Sequence, residues 1–331
     1  MVTKGPADVE WVRSFAGYLQ YFEDLAGWIG GAYGLGHSVA AGVHDAVLSR
    51  PETARISLRP PGADRVLALE AALARSWSHL QRAHDEVAEL DRFEVDSNAT
   101  LPIVALYSVT SATEALAVAT HVAPPLGGAD FLDVLAPVIA SGVLPGPWGI
   151  TCSGCPQLGT HTFEGLDHPP ATVDVRDDPE PWSSADRLAM FLRTTRAQDL
   201  ERRYAVLRMQ KPPLGKVRRI VPRAEKEAVA ATVQPTTLFD LLWRVRRESH
   251  TDGIDRYVVG AADERQAARF ADALVIVADA TVAAIEAVIA ATIGVTVLAD
   301  MTEELLERSG IPMWSRLGHH AAAWRARTTS C

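Results

Sequence analysis

The chain has 331 residues, 48% hydrophobic and 22% charged, with a net charge of −9 and three cysteines. That balance excludes a disordered polymer, a protein that coats nucleic acid over its whole surface, and a disulfide-stapled secreted scaffold. The length suffices for one large domain or two ordinary ones, and abundant Ala and Leu with few β-branched runs favour helix.

Residues 8–48 read as helix with a break near Gly27–Gly36. The glycine-rich run there lacks the Gly-Lys-Ser/Thr ending and the preceding strand of a phosphate loop, so close helix packing or a helix break explains it. Arg50–Pro61 is a linker with a short extended piece at Arg55–Arg59. Asp64 caps an amphipathic helix reaching about Asp91, with Leu67, Leu69, Leu73, Trp77, Leu80 and Val87 on its apolar face. Thr100–Val122 is a second helix, with Pro102 in its first turn and small residues (Ser108, Ser111, Ala112, Ala115) suited to the centre of a bundle. Ala129–Ser141 is a shorter one.

From Gly142 to Pro181 the helical pattern dissolves, and only Ala171–Val175 reads as a strand. Ser183 or Ser184 caps a helix to about Met209, and Lys211–Arg223 is a broken loop. Helices follow at Pro235–Ser249, Asp263–Ile293, Thr302–Ser309 (with Thr302 at its start) and Ser315–Arg327. The apolar stretch Ala273–Ala299 is interrupted by Asp279 and Glu286, which makes it a buried helix rather than a membrane span. The first residues lack the apolar core of a signal peptide, so the expected location is cytoplasmic, with no membrane partner. The expected fold is mainly α, an antiparallel helical bundle with an irregular, loop-rich insertion. The expected division is an N-terminal helical segment at 1–60, the bundle at 61–300 with its insertion at 142–182, and C-terminal helices at 301–331.

Chemistry concentrates at Pro235–Asp255. There an apolar helix face (Leu238, Leu241, Leu242, Val245) carries Arg244, Arg246 and Arg247 and ends in His250. Arginine forks onto phosphate oxygens, and histidine moves protons near neutrality. Upstream lies a basic stretch, Arg202, Arg203, Arg208, Lys211, Lys216, Arg218, Arg219, Arg223 and Lys226, able to attract an RNA backbone or simply to form a solvated face. Cys152 and Cys155, with His161 and His168 following, have the ligand types of a zinc site, although the seven-residue histidine spacing is loose and an unligated loop is the plainer explanation. No other metal or cofactor is expected. His319 and His320 point to different faces of a helix and suggest packing and surface placement. No paired-carboxylate constellation stands out.

Pro235–Gly260 resembles the signature region of the HEPN superfamily, in particular its YaaC-like branch. The resemblance rests on Thr236-Thr237-Leu238-Phe239, Arg244-Val245-Arg246-Arg247, Asp252 or Asp255, and Tyr257, with similar texture in the helix Leu101–Val118 and around Pro147-Trp148 and Cys152-Ser153-Gly154. It implies a dimerising helical bundle and a metal-independent ribonuclease of toxin or defence context. Arg244 would stabilise the phosphorane and His250 would act as acid or base. Arg246, Arg247, Arg218 and Arg219 would hold phosphate. Val245 stands where the family commonly has a polar residue after the catalytic arginine. The alternatives are a non-catalytic scaffold that binds RNA or a protein, and a zinc-binding or small-molecule enzyme built on the 142–170 loop.

Overall fold

The computed structural model describes residues 15–34, 38–90, 97–126, 130–166, 183–210, 220–250, 264–309 and 316–328. Among these the architecture is mainly α: eleven α-helices and one two-stranded antiparallel sheet. The helices are α1 (Phe15–Tyr33), α2 (Val39–Leu48), α3 (Ala63–Leu90), α4 (Ser97–Thr120), α5 (Phe131–Ala140), α6 (Ser184–Gln210), α7 (Arg223–Thr232), α8 (Leu238–His250), α9 (Glu264–Ile293), α10 (Val295–Ser309) and α11 (Arg316–Thr328). The strands are β1 (Thr151–Cys155) and β2 (Thr160–Glu164).

The chain forms two compact units. The smaller includes residues 146–244, and the larger comprises 15–145 and 245–331. This departs from the expected division: the inserted unit runs on to Arg244 rather than ending at 182, and the first and last helices belong with the bundle. The division falls inside α8.

The larger unit is a bundle around α9, which packs against α1, α2, α3, α4 and α10. Helix α9 is apolar on nearly every face and almost wholly buried, as a helix surrounded by neighbours must be. Helices α1 and α2 approach so closely that a Cβ on Gly42 would meet the carbonyl oxygen of Tyr33 at 1.8 Å, so only glycine fits. On α3 the core face is Leu69, Leu73, Trp77 and Leu80, but Leu67 is 68% exposed, outside the stripe assigned to it. Helix α4 begins at Ser97, so Pro102 lies beyond the first turn. Helix α10 begins at Val295, directly after Gly294 (φ 104°), and Thr302 is buried in mid-helix, its Oγ1 donating to the Ala299 carbonyl, instead of starting the helix.

The smaller unit contains the region expected to be irregular. Its order comes from a hairpin the sequence did not advertise, with Cys152 paired to Phe163 and Gly154 to His161. Gly154 has φ 77°, and a Cβ there would sit 2.0 Å from the Thr160 carbonyl oxygen. The strand expected at Ala171–Val175 lies outside the described residues. Two helix starts carry side-chain caps, the first of them reciprocal. Asp186 donates its N–H to Ser183 Oγ while its carboxylate accepts from Ser183. Asp240 accepts from both the N–H and the hydroxyl of Thr237 at 2.8 Å. Arg196, fully buried, donates to the carbonyls of Gly154 (2.6 Å), Gln234 (2.8 Å) and Ala230 (3.0 Å), tying β1 to the end of α7.

Candidate functional site

Two acids seven positions apart on α9, Asp279 and Glu286, share a helix face. That face is buried, with Asp279 7% and Glu286 0% exposed. Carboxylates in such surroundings need opposite charge and hydrogen bonds. Three helices of the larger unit supply them. Helix α11 brings His320, whose Nδ1 lies 2.8 Å from Glu286 Oε2 and whose Nε2 lies 2.9 Å from Asp279 Oδ1. Helix α3 brings Trp77, which donates its indole N–H to Glu286 Oε1 at 2.6 Å, and, seven residues on, His84, with Nε2 3.4 Å from Asp279 Oδ2. Trp324, one turn after His320, donates to Glu286 Oε2 at 3.3 Å. Helix α2 brings His44, whose Nε2 lies 3.4 Å from the same oxygen.

Charge follows from this geometry. Burial opposes a charge on His320, but Glu286 and Asp279 on its two nitrogens reverse the effect and raise its pKa to about 10. Burial pushes the Glu286 carboxyl up, and the charge and hydrogen bond of His320, with His44, more than offset that and bring it to about 2. Burial dominates at His44 and lowers it to about 4. His320 is therefore an imidazolium set between Glu286 and Asp279. His44 is a neutral ring, fully buried, with neither nitrogen in hydrogen-bond geometry.

His44, Glu286 and His320 each offer a donor atom, and the three atoms lie within 4.8 Å of one another. Among the described residues this is the one group of three or more His, Cys, Asp or Glu side chains so placed. Two imidazoles and a carboxylate suit zinc and its first-row neighbours.

The sequence-predicted residues fare differently. Arg244, in the smaller unit, is 1% exposed and donates from Nη1 to Thr195 Oγ1 at 3.1 Å. It also lies near Asp199, whose carboxyl burial pushes up while Arg202 and Arg244 pull it down. His250, in the larger unit, is exposed. Arg246 and Arg247 are half-buried, with the Arg246 guanidinium 5.9 Å from the Tyr107 ring centre. Arg218, Arg219 and His168 lie outside the described residues. In the basic stretch, Arg202 pairs with Asp199, Arg208 with Glu201 and Arg223 with Glu227.

Cys152 and Cys155 are buried free thiols on β1, and burial pushes Cys152 up to about 12. Cys155 Sγ lies 3.4 Å from the Tyr204 hydroxyl. Neither thiol, nor His161, belongs to a ligand cluster among the described residues. His320, expected to serve packing or the surface, is instead the charged centre of the core, and Asp279 and Glu286 form the carboxylate pair that the sequence had not displayed.

Comparison with protein-family models, with curated proteins and with solved structures finds no match to this chain.

Proposed function

We propose that this chain is a metal-binding helical-bundle protein, holding one divalent first-row transition ion of the zinc class between His44, Glu286 and His320. The observation that carries this is His44, a fully buried imidazole whose Nδ1 has no hydrogen bond and whose Nε2 has only a long 3.4 Å contact with Glu286, beside that carboxylate and a second imidazole. Leaving a polar ring in that state costs free energy that a metal bond recovers. Charge is compatible with this: an ion displacing the His320 proton keeps positive charge beside Glu286 and Asp279. Tetrahedral metal bonds of about 2.0–2.2 Å set neighbouring donors about 3.3–3.6 Å apart, so the His44–Glu286 spacing of 3.4 Å already suits an ion and the 2.8 Å His320–Glu286 contact opens as the ion replaces the proton between them. Exposures of 0–1% at all three ligands keep bulky substrates out, which favours a structural or regulatory ion over a hydrolytic one.

Cobalt(II) titration of the EDTA-treated full chain tests the assignment. Visible d–d bands saturating at one ion per chain, absent in Glu286→Gln and His44→Ala, are the expected result. Absence of any saturable ion would overturn it.

A second reading, supported by the exposure of His250 beside half-buried Arg246 and Arg247, is an HEPN-like RNA-binding protein or ribonuclease, acting as a homodimer. In that reading the buried Arg244 cannot meet a phosphate without moving, so Arg246 and Arg247 hold the backbone.

A further inference from the structure

Three of the elements around the cluster enter the bundle early or through its centre, but the fourth, α11, attaches in an unusual way. Among its described side chains Trp324 is the one large apolar group it buries, and the remaining buried positions are Gly318, His320 and Ala321. Ala322, Arg325 and Ala326 face solvent. So little apolar area leaves the helix dependent on polar contacts. Three sets provide them. Along one side, where α11 packs against α10, Arg325 pairs with Glu303. At one end Arg327 donates to the Ala41 carbonyl at 2.8 Å, pairs with Asp45 at 2.6 Å and lies over Trp324, reaching α2 without touching the ligand atoms. At the other, His320 and Trp324 bond the α9 carboxylates, and Trp324 stacks on His44.

The three donor atoms therefore belong to three helices, α2, α9 and α11, and no two lie on the same one. An ion bound by all three cross-links residues 44, 286 and 320 by bonds stronger than the hydrogen bonds already there.

We infer that the site is a metal-operated latch: an ion seated on His44, Glu286 and His320 fastens the C-terminal helix α11 to α2 and α9, and its removal loosens that helix while the rest of the bundle stays folded. This rests on the metal-binding reading above. Binding free energy enters the equilibrium between docked and undocked α11, because only the docked helix completes the ligand set. Helices α1, α3 and α4 contribute no ligand and have their own apolar packing on α9, so the effect stays local.

Hydrogen–deuterium exchange of the full chain, with one equivalent of zinc and after EDTA treatment, tests the latch, with calorimetric zinc titration run on the same sample. Zinc is expected to slow exchange across 316–328 by about tenfold or more and to leave Ser184–Gln210, in the other unit, unchanged. An Arg327→Gln variant, which weakens α11 outside the ligand set, should exchange faster than wild type without metal and return to protection with zinc. Stoichiometric zinc with unchanged exchange at 316–328 in both proteins would overturn the latch and leave the metal site standing. Failure of zinc to bind at all would overturn both. Equal slowing in both units would show general stabilisation and would also overturn the latch.

Discussion

His44 and Trp324 lie face to face, their ring centres 3.9 Å apart and their planes 22° from parallel. The indole covers one side of the imidazole, and its N–H reaches past to Glu286. His44 is thereby buried as a neutral ring next to a charged partner, His320. Opposite protonation states in two histidines whose ring centres lie 6.4 Å apart give the core a distinctive response to pH.

That response has a definite sign. His320 is raised from 6.5 to about 10, so its contribution is full below 6.5 and is lost as pH rises toward 10. His44 is lowered from 6.5 to about 4, so its contribution is full above 6.5 and is lost as pH falls toward 4. Glu286, lowered from 4.5 to about 2, adds further loss below 4.5. The facing groups are Asp279, His84 and Arg327. Metal-free protein should therefore be most stable near pH 6.5, with slopes up to about 1.4 kcal/mol per pH unit on either side. Urea unfolding from pH 4 to 10 measures this, and equal stability at pH 6.5 and 9.5 would contradict it.

Glu286→Gln removes a charge that accepts from Trp77, Trp324 and His320. The amide can still accept, but the His320 proton loses one of its two carboxylates. The expected loss of stability is about 3–5 kcal/mol, as for breaking a buried ion pair from one side. Urea midpoints of the metal-free proteins give the answer, and a difference under about 1 kcal/mol would mean the cluster is not organised around this residue.

Arg196→Lys keeps the charge and loses the fork. One ammonium cannot reach the carbonyls of Gly154, Gln234 and Ala230 together, so at least one buried carbonyl is left without its donor. A loss of about 2–4 kcal/mol is expected, with faster amide exchange in 151–164 as its local signature. Unchanged exchange there would show that the hairpin does not depend on the guanidinium.

Cys152 and Cys155 should resist a thiol reagent in native buffer at pH 8 and react once the chain is unfolded, because both are buried and Cys152 is raised to about 12. Peptide mass mapping of the label reads this directly. The Cys152→Ser/Cys155→Ser variant should bind zinc like wild type. Loss of zinc in that variant would move the metal to the hairpin.

His250→Ala separates the two functional readings. His250 is exposed and outside the core cluster, so metal binding and stability should not change. If RNA incubated with wild type in EDTA yields cyclic-phosphate ends that the variant does not produce, the ribonuclease reading gains the decisive support.

The helical periods were legible because long amphipathic and apolar runs translate directly into buried faces, as in α3, α4 and α9. The hairpin was not, since Thr-Cys-Ser-Gly-Cys has no alternation and its pairing depends on Gly154. The core cluster was half visible. Asp279 and Glu286 showed in the sequence only as interruptions of an apolar helix, and it is the fold that brings opposite charge to them. Which histidine meets them was hidden, because His44, His84 and His320 come from distant segments and nothing local distinguishes them from the other histidines. The Arg/His stretch drew attention by local density, whereas burial, which decides what Arg244 touches, is a property of the assembled fold.

Helix α11 presents mainly glycine, alanine and one tryptophan to its neighbours, a surface that could settle in several phases with similar packing. The pair of carboxylates forbids that. Sliding the helix by one turn moves it about 5.4 Å, withdraws His320 from Asp279 and Glu286 together, and strands two buried negative charges. The polar contacts thus act as a key cut for a single register: they add little by way of contact area, but they make every other alignment of the C-terminal helix prohibitively unfavourable.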